Sequence, residues 1–496
     1  MQRLSAAALA GLPEDVARPR YDRSAVAAGI VHLGIGAFQR AHQAMYTEAA
    51  LTAGDNRWGI VGASLRSPAV RDALKPQDNL YTLAVRGAEG ERLQVIGAIK
   101  ETLVAPEDPQ ALLRHLSDPA VTIVTLTVTE KGYCYDPATA ALDEAHPDIV
   151  HDLATPDRPR TAPGFLVEAL RRRRAASIHS FTVLCCDNLP HNGRTVARIV
   201  ARFAELRDRP LAGYIRNEVA FPSTMVDRIT PATTDDDRAA ISQRLGAADA
   251  APVVTEPFSQ WVIEDRFPGG RPDWSIAGAE FVTDVAPYEN MKLRLLNGSH
   301  STLAYLGYLA GYETVSDTMQ DANYRRLAEG VMDDAATTLK MPPGADVAAY
   351  KRALMERYAN PALKHRTWQI CMDGSQKLPQ RLLGSIRDRL AAGAPVDRLV
   401  MGVAGWMRYV TGVDEHGKPI DVRDPLSARL RAIADQAGVD AQRLAPALLD
   451  VREIFGELGA DTRFRASVTN ALARIIAKGA KAAVAALHSP HPEERA

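Results

Sequence analysis

The hydrophobic pattern of this 496-residue chain changes its period near residue 285. Before that point, short apolar runs such as Trp58–Leu65, Val121–Thr129 and Phe181–Cys186 are typical of buried strands. From Met291 onward, apolar residues recur at intervals of about 3.6 residues between turns that contain Gly, Pro and Asp, which indicates helices. The sequence therefore predicts an α/β domain over residues 1–284 and a mainly α-helical domain over residues 285–496.

A glycine-containing turn follows the first predicted strand. The stretch Gly29–His42 reads GIVHLGIGAFQRAH, in which Gly34 and Gly36 form a G-x-G sequence and Gln39 occupies the third glycine position. Backbone N–H groups of such a turn can bind a pyrophosphate at the start of the following helix. The incomplete motif alone also fits an ordinary strand–helix turn, but a helix-like stretch and a second strand follow it. We therefore predict a Rossmann-like dinucleotide-binding domain.

The residues after the second predicted strand leave the choice between NAD and NADP open. Rossmann domains that bind NAD place an acidic residue there, which binds a ribose hydroxyl. This chain has Arg66 and Ser67 instead, with no acidic residue before Asp72. An arginine at this position accommodates the 2′-phosphate of NADP. The alternative is that Arg66 is simply solvated.

Three polar residues interrupt the apolar stretch Glu289–Gly311, namely Lys292, Asn297 and His300. At roughly 100° per residue on a helix, Lys292 and His300 are about 80° apart and Asn297 is about 60° beyond His300, so all three can face one side. A lysine on a mostly buried helix is costly unless it is paired or its pKa is lowered, and a general base at neutral pH needs a lowered pKa. Alternatively, Lys292 extends to a charged surface and Asn297 only begins a turn.

These residues suit an alcohol dehydrogenase that works without a metal. Such an enzyme must remove the hydroxyl proton and donate hydrogen bonds to the oxygen on which negative charge develops. The twelve histidines are scattered and form no H-E-x-x-H motif, so the sequence predicts no metal site. Lys292 can be the base, while Asn297 and Asn188, which follows a predicted strand, can be the donors. The alternative from another class is a binding or scaffolding protein with a vestigial nucleotide turn.

Composition and charge exclude several classes of partner. The net charge of −1 gives no general attraction to nucleic acid or to an anionic membrane. The four cysteines show no C-x-x-C spacing, which favours a reducing cytoplasm. No apolar run approaches the roughly 18 residues needed to span a bilayer. We expect a cytoplasmic enzyme with a small-molecule substrate, and the sequence gives no signal for its oligomeric state.

Four segments in this order resemble the mannitol dehydrogenase family: IVHLGIGAFQRAHQAMY, TVTEKGYC, CCDNLPHNG and KLRLLNGSHS. The resemblance extends from about residue 25 to about residue 455. This family consists of long-chain, metal-independent polyol dehydrogenases and includes mannitol 2-dehydrogenase and fructuronate reductase, also called mannonate oxidoreductase. The resemblance implies an NAD(P)-dependent reaction at a secondary alcohol, with NAD favoured by family habit.

The resemblance also implies roles for residues that match the family motifs. Lys292 would be the general base, Asn188 and Asn297 would polarise the reacting C2 oxygen, and His300 would orient the substrate. The acidic residues Glu289 and Glu130 would belong to the path by which the proton reaches solvent. The expected cofactor-binding residues are Gly34, Ile35, Gly36, Ala37, Phe38, Arg66 and Asp227. One departure is Gln39, where the familiar motif has His.

Two segments favour a sugar acid over a hexitol as substrate. His365–Arg381 (HRTWQICMDGSQKLPQR) and Ser64–Pro68 (SLRSP) resemble fructuronate reductases more than mannitol dehydrogenases. Arg366 and Lys377 could bind a C6 carboxylate, since an arginine can hold a carboxylate through two parallel hydrogen bonds. Alternatively, both contact neutral hydroxyls or stabilise the helical domain. We predict interconversion of D-mannonate and D-fructuronate, with D-mannitol and D-fructose as the second choice.

Overall fold

The structure, a computed structural model, describes residues 1–136 and 141–487. It consists of two compact units, Met1–Ala286 and Pro287–Ala496, whereas the sequence analysis placed the boundary after residue 284. We call them the sheet unit and the helical unit. Each has a hydrophobic core of its own, divided into three clusters in the sheet unit and continuous in the helical unit.

The sheet unit is built on a five-stranded parallel sheet. Its strands and those of three smaller sheets are β1 (Ile30–Leu33), β2 (Ile60–Ser64), β3 (Tyr81–Gly87), β4 (Gly90–Ile96), β5 (Ile99–Val104), β6 (Ile123–Leu126), β7 (Tyr135–Asp136), β8 (Ala141–Leu142), β9 (Thr182–Cys185), β10 (Thr224–Asp227), β11 (Val253–Thr255), β12 (Gln260–Glu264) and β13 (Glu280–Val282). The parallel sheet has the order β5-β2-β1-β6-β9, and the smaller sheets are β10-β12-β13, β11-β3-β4 and β7-β8. The chain order reverses between β1 and β6, which is the position where Rossmann domains bind dinucleotides.

The central strands are buried on both faces. In β1, Val31 and Leu33 belong to one core cluster. Ile30, whose side chain alternates to the opposite face of the strand, belongs to another. β6 and β9 alternate in the same way, so their apolar residues form a near-continuous run rather than an alternating one. The α-helices of this unit are Ala37–Ala41, Gln43–Thr52, Ala69–Leu74, Pro109–Ser117, Thr129–Gly132, Pro147–Ala154, Ala162–Ala175, Asn192–Arg207, Arg209–Glu218 and Asp235–Leu245. The predicted Rossmann-like fold is confirmed.

The helical unit surrounds one buried helix, Gly298–Leu309, in which every residue except Tyr308 is buried. This helix packs against Asp397–Tyr409, Thr367–Cys371 and Ala322–Ala336. The other α-helices are Ala286–Met291, which crosses the division between the units, and Val315–Thr318, Val347–Ala359, Gly374–Leu378, Gly384–Ala391, Ser427–Ala437, Ala441–Leu449, Arg452–Phe455, Thr462–Lys478 and Ala480–Ala486. Two segments, Lys292–Asn297 and Pro379–Leu383, are π-helical. The predicted helical second half is confirmed.

Candidate active site

The turn after β1 has the backbone geometry that its two glycines predict. Gly34 has a φ of +94°, and a Cβ atom there would lie 2.2 Å from the carbonyl oxygen of Thr127, so no other residue fits. Gly36 caps the helix Ala37–Ala41, and a Cβ atom on it would meet nothing nearer than the Gly34 oxygen at 3.7 Å. The space beside Gly36 is therefore open to a ligand, as a pyrophosphate requires.

Two side chains fix this turn. The Thr127 hydroxyl donates to the Gly34 carbonyl at 2.9 Å, and Nε of the buried Arg40 donates to the Gly36 carbonyl at 3.2 Å. The predicted cofactor residues that complete the turn are Ile35, Ala37 and Phe38. Because Thr127 directly follows β6, the turn is anchored to the neighbouring strand of the sheet.

A cavity of about 680 Å³ lies beyond the carboxyl ends of β2 and β5. Its apolar lining includes Leu65 and Ala105, each the first residue after its strand. Its basic and imidazole lining consists of Arg66, Lys131, His146, His151, Arg158 and Arg160. A dinucleotide whose pyrophosphate lies on the turn after β1 places its adenosine beside the next strand of the sheet. Arg66, which the sequence analysis assigned to the cofactor, lines this cavity, and its role stays a prediction.

Asn188 is exposed in the turn after β9, and the residue before it organises two loops. The Asp187 carboxylate accepts hydrogen bonds from the backbone N–H groups of Val128 at 2.9 Å and Thr129 at 3.1 Å. It also accepts one from the Tyr133 hydroxyl at 2.7 Å. Asp187 therefore holds the loop after β6 against the loop that carries Asn188.

The loop after β6 leads to Glu130. Thr129 has a φ of +62°, an unusual value for a β-branched residue, and the bond to Asp187 holds it there. Glu130 follows in the short helix Thr129–Gly132. The Glu130 side chain lies outside the part of the chain that the structure describes, and its role stays a prediction.

Asn192 connects the Asn188 loop to β10. Its side-chain amide donates to the carbonyls of Asp187 at 3.1 Å and Thr224 at 2.9 Å. Its side-chain oxygen accepts from the backbone N–H of Thr224 at 2.9 Å. β10 ends at Asp227, which is buried. Within the sheet unit, the hydrogen bonds of Thr127, Asp187 and Asn192 therefore connect the segments that carry Gly34, Asn188 and Asp227.

Lys292 begins a π-helical segment that ends at Asn297. In an α-helix, residues five apart point about 140° away from each other. A π-helix closes its turns with i→i+5 hydrogen bonds, so residues five apart lie on adjacent turns of the same side. Lys292 and Asn297 therefore share a face, and both are half-buried. The sequence analysis assumed a regular α-helix here, which was wrong, because KLRLLN carries no local signal for the wider turn.

His300 lies in the buried helix that continues this segment, among two aromatic neighbours. Its ring stacks on Tyr358 with centroids 5.3 Å apart and meets the His365 ring at 4.8 Å. Burial, together with the positive groups nearby, holds the pKa of His300 well below its ordinary value. Burial and the charge of Lys377 lower the pKa of His365 to about 4. Both imidazoles are therefore neutral at pH 7, and each offers one donor and one acceptor.

The remaining predicted residues of the helical unit occupy different surroundings. Glu289 is half-buried in the helix that precedes Lys292. The side chain of Arg366 is 63% exposed, and its nearest carboxylate is Glu313 at 3.8 Å. Lys377 donates to the Met372 carbonyl at 2.6 Å. The roles of Glu289, Arg366 and Lys377 stay predictions.

The sequence analysis missed three residues that the structure makes prominent. Asp187 and Asn192 flank Asn188 in the motif CDNLPHN, and an acid at the end of a buried strand could have marked the first of them. Arg381 lies in the second π-helical segment and donates from Nη1 to the hydroxyl of Ser301 at 2.9 Å. Nothing in the local pattern KLPQRLL distinguishes it from a surface arginine.

Across residues 1–136 and 141–487, no three or more His, Cys, Asp or Glu side chains are grouped so that they could hold a metal ion. In the same residues, no helix combines the length and the apolar character that a membrane span needs. The four cysteines are unpaired with one another and buried.

Comparison with known proteins gives matches over nearly the whole chain. The family profile "Mannitol dehydrogenase Rossmann domain" matches residues 28–276, and "Mannitol dehydrogenase C-terminal domain" matches residues 284–476. The "Uncharacterized oxidoreductase YeiQ" of Escherichia coli K12 is 50% identical over 95% of this chain and 97% of its own length. The D-mannonate oxidoreductase of the same organism is 49% identical over 95% and 98%. The Pseudomonas fluorescens mannitol 2-dehydrogenase, solved with NAD and D-mannitol, is 39% identical and covers 98% of this chain and 99% of its own, with a TM-score of 0.87.

Proposed function

The chain belongs to the mannitol dehydrogenase family and is an oxidoreductase, and on that premise we propose that it interconverts D-mannonate and D-fructuronate with NAD. The D-mannonate oxidoreductase at 49% identity supports the sugar acid as substrate, and the complex of the Pseudomonas enzyme supports NAD as cofactor. The alternative of a vestigial nucleotide-binding protein is set aside, because the relatives are oxidoreductases.

The observation that carries the proposal is the π-helical segment that places Lys292 and Asn297 on adjacent turns of one face. NAD, when bound, supplies the hydride acceptor. Lys292 takes the proton from the substrate hydroxyl as the general base. Asn297 and Asn188 donate hydrogen bonds to the oxygen as negative charge develops on it. His300, neutral and held by Tyr358, orients the substrate through a hydrogen bond.

The remaining residues have supporting roles in the proposal. Glu289 and Glu130 pass the proton from Lys292 toward solvent. Arg366 and Lys377 are candidates for contacts with the far end of the substrate. The cofactor is held by Gly34, Ile35, Gly36, Ala37, Phe38, Arg66 and Asp227. For the first five of these, the open space beside Gly36 supports the assignment.

A four-way comparison of kcat/KM tests this function. Fructuronate and fructose, which differ only at C6, are each reduced with NADH and with NADPH by the purified protein. We expect fructuronate with NADH to give the highest value. A preference for fructose would reject the sugar-acid assignment, and a preference for NADPH would reject NAD. Absence of turnover with all four combinations would reject the reaction itself.

The second candidate is oxidation of D-mannitol to D-fructose. It is favoured by the likeness to the Pseudomonas mannitol 2-dehydrogenase, whose structure covers 98% of this chain. The same comparison of fructuronate with fructose decides between the two candidates.

A further inference from the structure

We propose that Arg381 is the residue that binds the carboxylate of the substrate, in a site formed with His300 and His365 in the helical unit. The proposal rests on the function proposed above and adds a residue that determines its substrate class. It replaces neither Lys292 as base nor Asn297 as donor. Its basis is the hydrogen bonding, the charge and the backbone packing around Arg381.

The guanidinium of Arg381 is far from saturated with hydrogen bonds. It has five N–H donors, and within the described part of the chain it uses one, from Nη1 to Ser301 Oγ at 2.9 Å. Ser301 directly follows His300, so this bond fixes the guanidinium beside the residue that orients the substrate. No carboxylate of the described residues lies within ion-pair distance of Arg381. Its remaining donors suit a planar anion, which an arginine binds through two parallel bonds.

Three buried arginines of this chain each form three or more hydrogen bonds within the protein. Arg173 donates to three backbone carbonyls, those of residues 116, 118 and 179. Arg228 donates to the carbonyls of residues 41 and 256. Arg389 pairs with the Asp334 carboxylate at 3.0 Å and also donates to backbone oxygens. Buried arginines with structural roles in this protein have such partners, and Arg381 differs from all three.

The ionisable groups that act on His300 are basic, and the Asp373 carboxylate that acts on Arg381 also pairs with Lys377 at 3.8 Å. Burial is the largest cause that lowers the pKa of His300. The charged groups that lower it further are all basic, namely His365, Arg381, Arg357 and Lys377. Burial also lowers the pKa of Arg381 itself, which shows that its charge is poorly solvated. An anion bound there would restore the lost solvation of the guanidinium. A neutral hydroxymethyl group would not.

His365 supplies a second polar atom to the proposed site. Its Nδ1 is buried, and among the described residues it has no hydrogen-bond partner. Burying a polar atom without a hydrogen-bond partner is unfavourable, so such atoms in native proteins call for an explanation. A carboxylate or hydroxyl of the substrate beside Arg381 would satisfy it. The partly exposed side chains of Arg381 and His365 leave that substrate a route of access.

The backbone of Arg381 is held against the helix that carries His300. Arg381 is in the middle of the π-helical segment Pro379–Leu383, which packs against the π-helical segment Lys292–Asn297. A Cβ atom on Gly298 would lie 2.7 Å from the Arg381 carbonyl oxygen, so the contact requires glycine at that position. Isolated π-turns are frequent at functional sites, and here two of them pack together.

The test compares keto-acids with the matching ketoses across single substitutions. Wild type, Arg381→Gln, Arg381→Lys and Arg366→Gln are assayed with NADH on fructuronate and fructose and on tagaturonate and tagatose. Arg387, exposed in the following helix, gives the matched control Arg387→Gln. We expect Arg381→Gln to lower kcat/KM on the keto-acids about 30- to 100-fold, chiefly through KM, since a charge-assisted pair is lost. The ketoses should change less than about threefold.

The variants also separate the possible failures. The wild-type values test the proposed function, and the ratio of Arg381→Gln to wild type tests Arg381. If wild type reduces tagaturonate rather than fructuronate and Arg381→Gln loses it, the substrate assignment fails and the Arg381 site stands. Equal losses on acids and ketoses, a loss that appears with Arg366→Gln instead, or a wild type that reduces only ketoses would each overturn the Arg381 site. Should Arg381→Gln fold poorly by circular dichroism, Arg381→Lys decides, with a smaller loss expected on the keto-acids alone.

Discussion

The sheet unit and the helical unit present their candidate residues in opposite ways. In the sheet unit, the proposed cofactor site is made of backbone: the turn at Gly34 and Gly36 offers N–H groups, and the Asp187 side chain holds loops in place. In the helical unit, the proposed catalytic groups are side chains, and the π-helical turn at Lys292–Asn297 brings the first and last residues of that segment to one face. A site made of backbone constrains residue size, whereas a site made of side chains constrains helical geometry.

Replacing Lys292 should produce the largest effect and separate the two units most clearly. We expect Lys292→Ala to lower kcat about 1,000-fold, because a positioned general base contributes about 10²–10⁴ in rate. The Kd for NADH should stay within about twofold of wild type, since the predicted cofactor residues are in the sheet unit. Exposed Lys340 provides the control Lys340→Ala, which should be fully active. A Lys292→Ala variant that kept most of its turnover would reject the base.

A pair of glycine substitutions tests the backbone site. Gly34→Ala should destabilise the protein by about 3 kcal/mol, because of its positive φ and the approach to the Thr127 oxygen. Gly36→Ala has room for its methyl group and should leave the unfolding midpoint in urea unchanged. It should nevertheless weaken NADH binding at least about tenfold, because the methyl group occupies the space for the pyrophosphate. Wild-type NADH affinity in Gly36→Ala would show that the cofactor does not approach this turn.

Acidification should affect the helical unit more than the sheet unit. His300 and His365 have lowered pKa values when folded, so unfolding takes up protons below their ordinary value of 6.5. Stability should therefore fall as the pH drops from 6.5 toward 4, by about 1.4 kcal/mol per pH unit for each histidine. Both histidines therefore make the folded helical unit less stable as the pH falls.

The sheet unit contains a compensating pair. Burial lowers the pKa of His32 to about 3 but raises that of Glu48 from 4.5 to about 7. Between pH 6.5 and 4.5 the folded Glu48 binds a proton that the unfolded chain does not, which offsets His32. Hydrogen exchange at pH 7.0 and 5.5, corrected for intrinsic rates, should show protection lost first in the helical unit. Equal loss in both units would contradict this, and His365→Gln should reduce the difference.

The smallest effect is expected at Asp187, which acts through its neighbour. Asp187→Asn keeps the shape but weakens acceptance from the N–H groups of Val128 and Thr129, so the loop that presents Asn188 should loosen. We expect kcat to fall about tenfold with NADH affinity unchanged. The control is Asp236→Asn, on an exposed aspartate of this unit. A kcat equal to that of the control would remove Asp187 from the support of the site.

The sequence predicted the parts of this protein that follow from local pattern. The strands β1, β6 and β9 are buried on both faces, and their apolar and β-branched residues are typical of such strands. The glycine turn could be predicted because the backbone at Gly34 has a positive φ, which favours glycine. The predicted strand Val121–Thr129 was longer than β6, because Asp187, distant in sequence, captures Val128 and Thr129.

The site in the helical unit was predicted less completely. Lys292, Asn297 and His300 were expected to face one side of a regular α-helix, but Lys292 and Asn297 share a face through a π-turn that the local sequence does not reveal. Arg381 was overlooked in favour of the nearby Arg366. The difference between the two arginines is burial and the contact with Ser301, which are properties of the folded chain.

The π-helical segment at Lys292 determines which changes of length this stretch can tolerate. A π-turn is equivalent to one extra residue within an α-helix, so deleting one residue between Lys292 and Asn297 would restore the narrower helix. The lysine and the asparagine would then be four positions apart, about 40° from each other, and would still share a face. Restoring the α-helix at its full length would instead turn Asn297 about 140° away from Lys292, so we expect that change to cost more activity than the deletion.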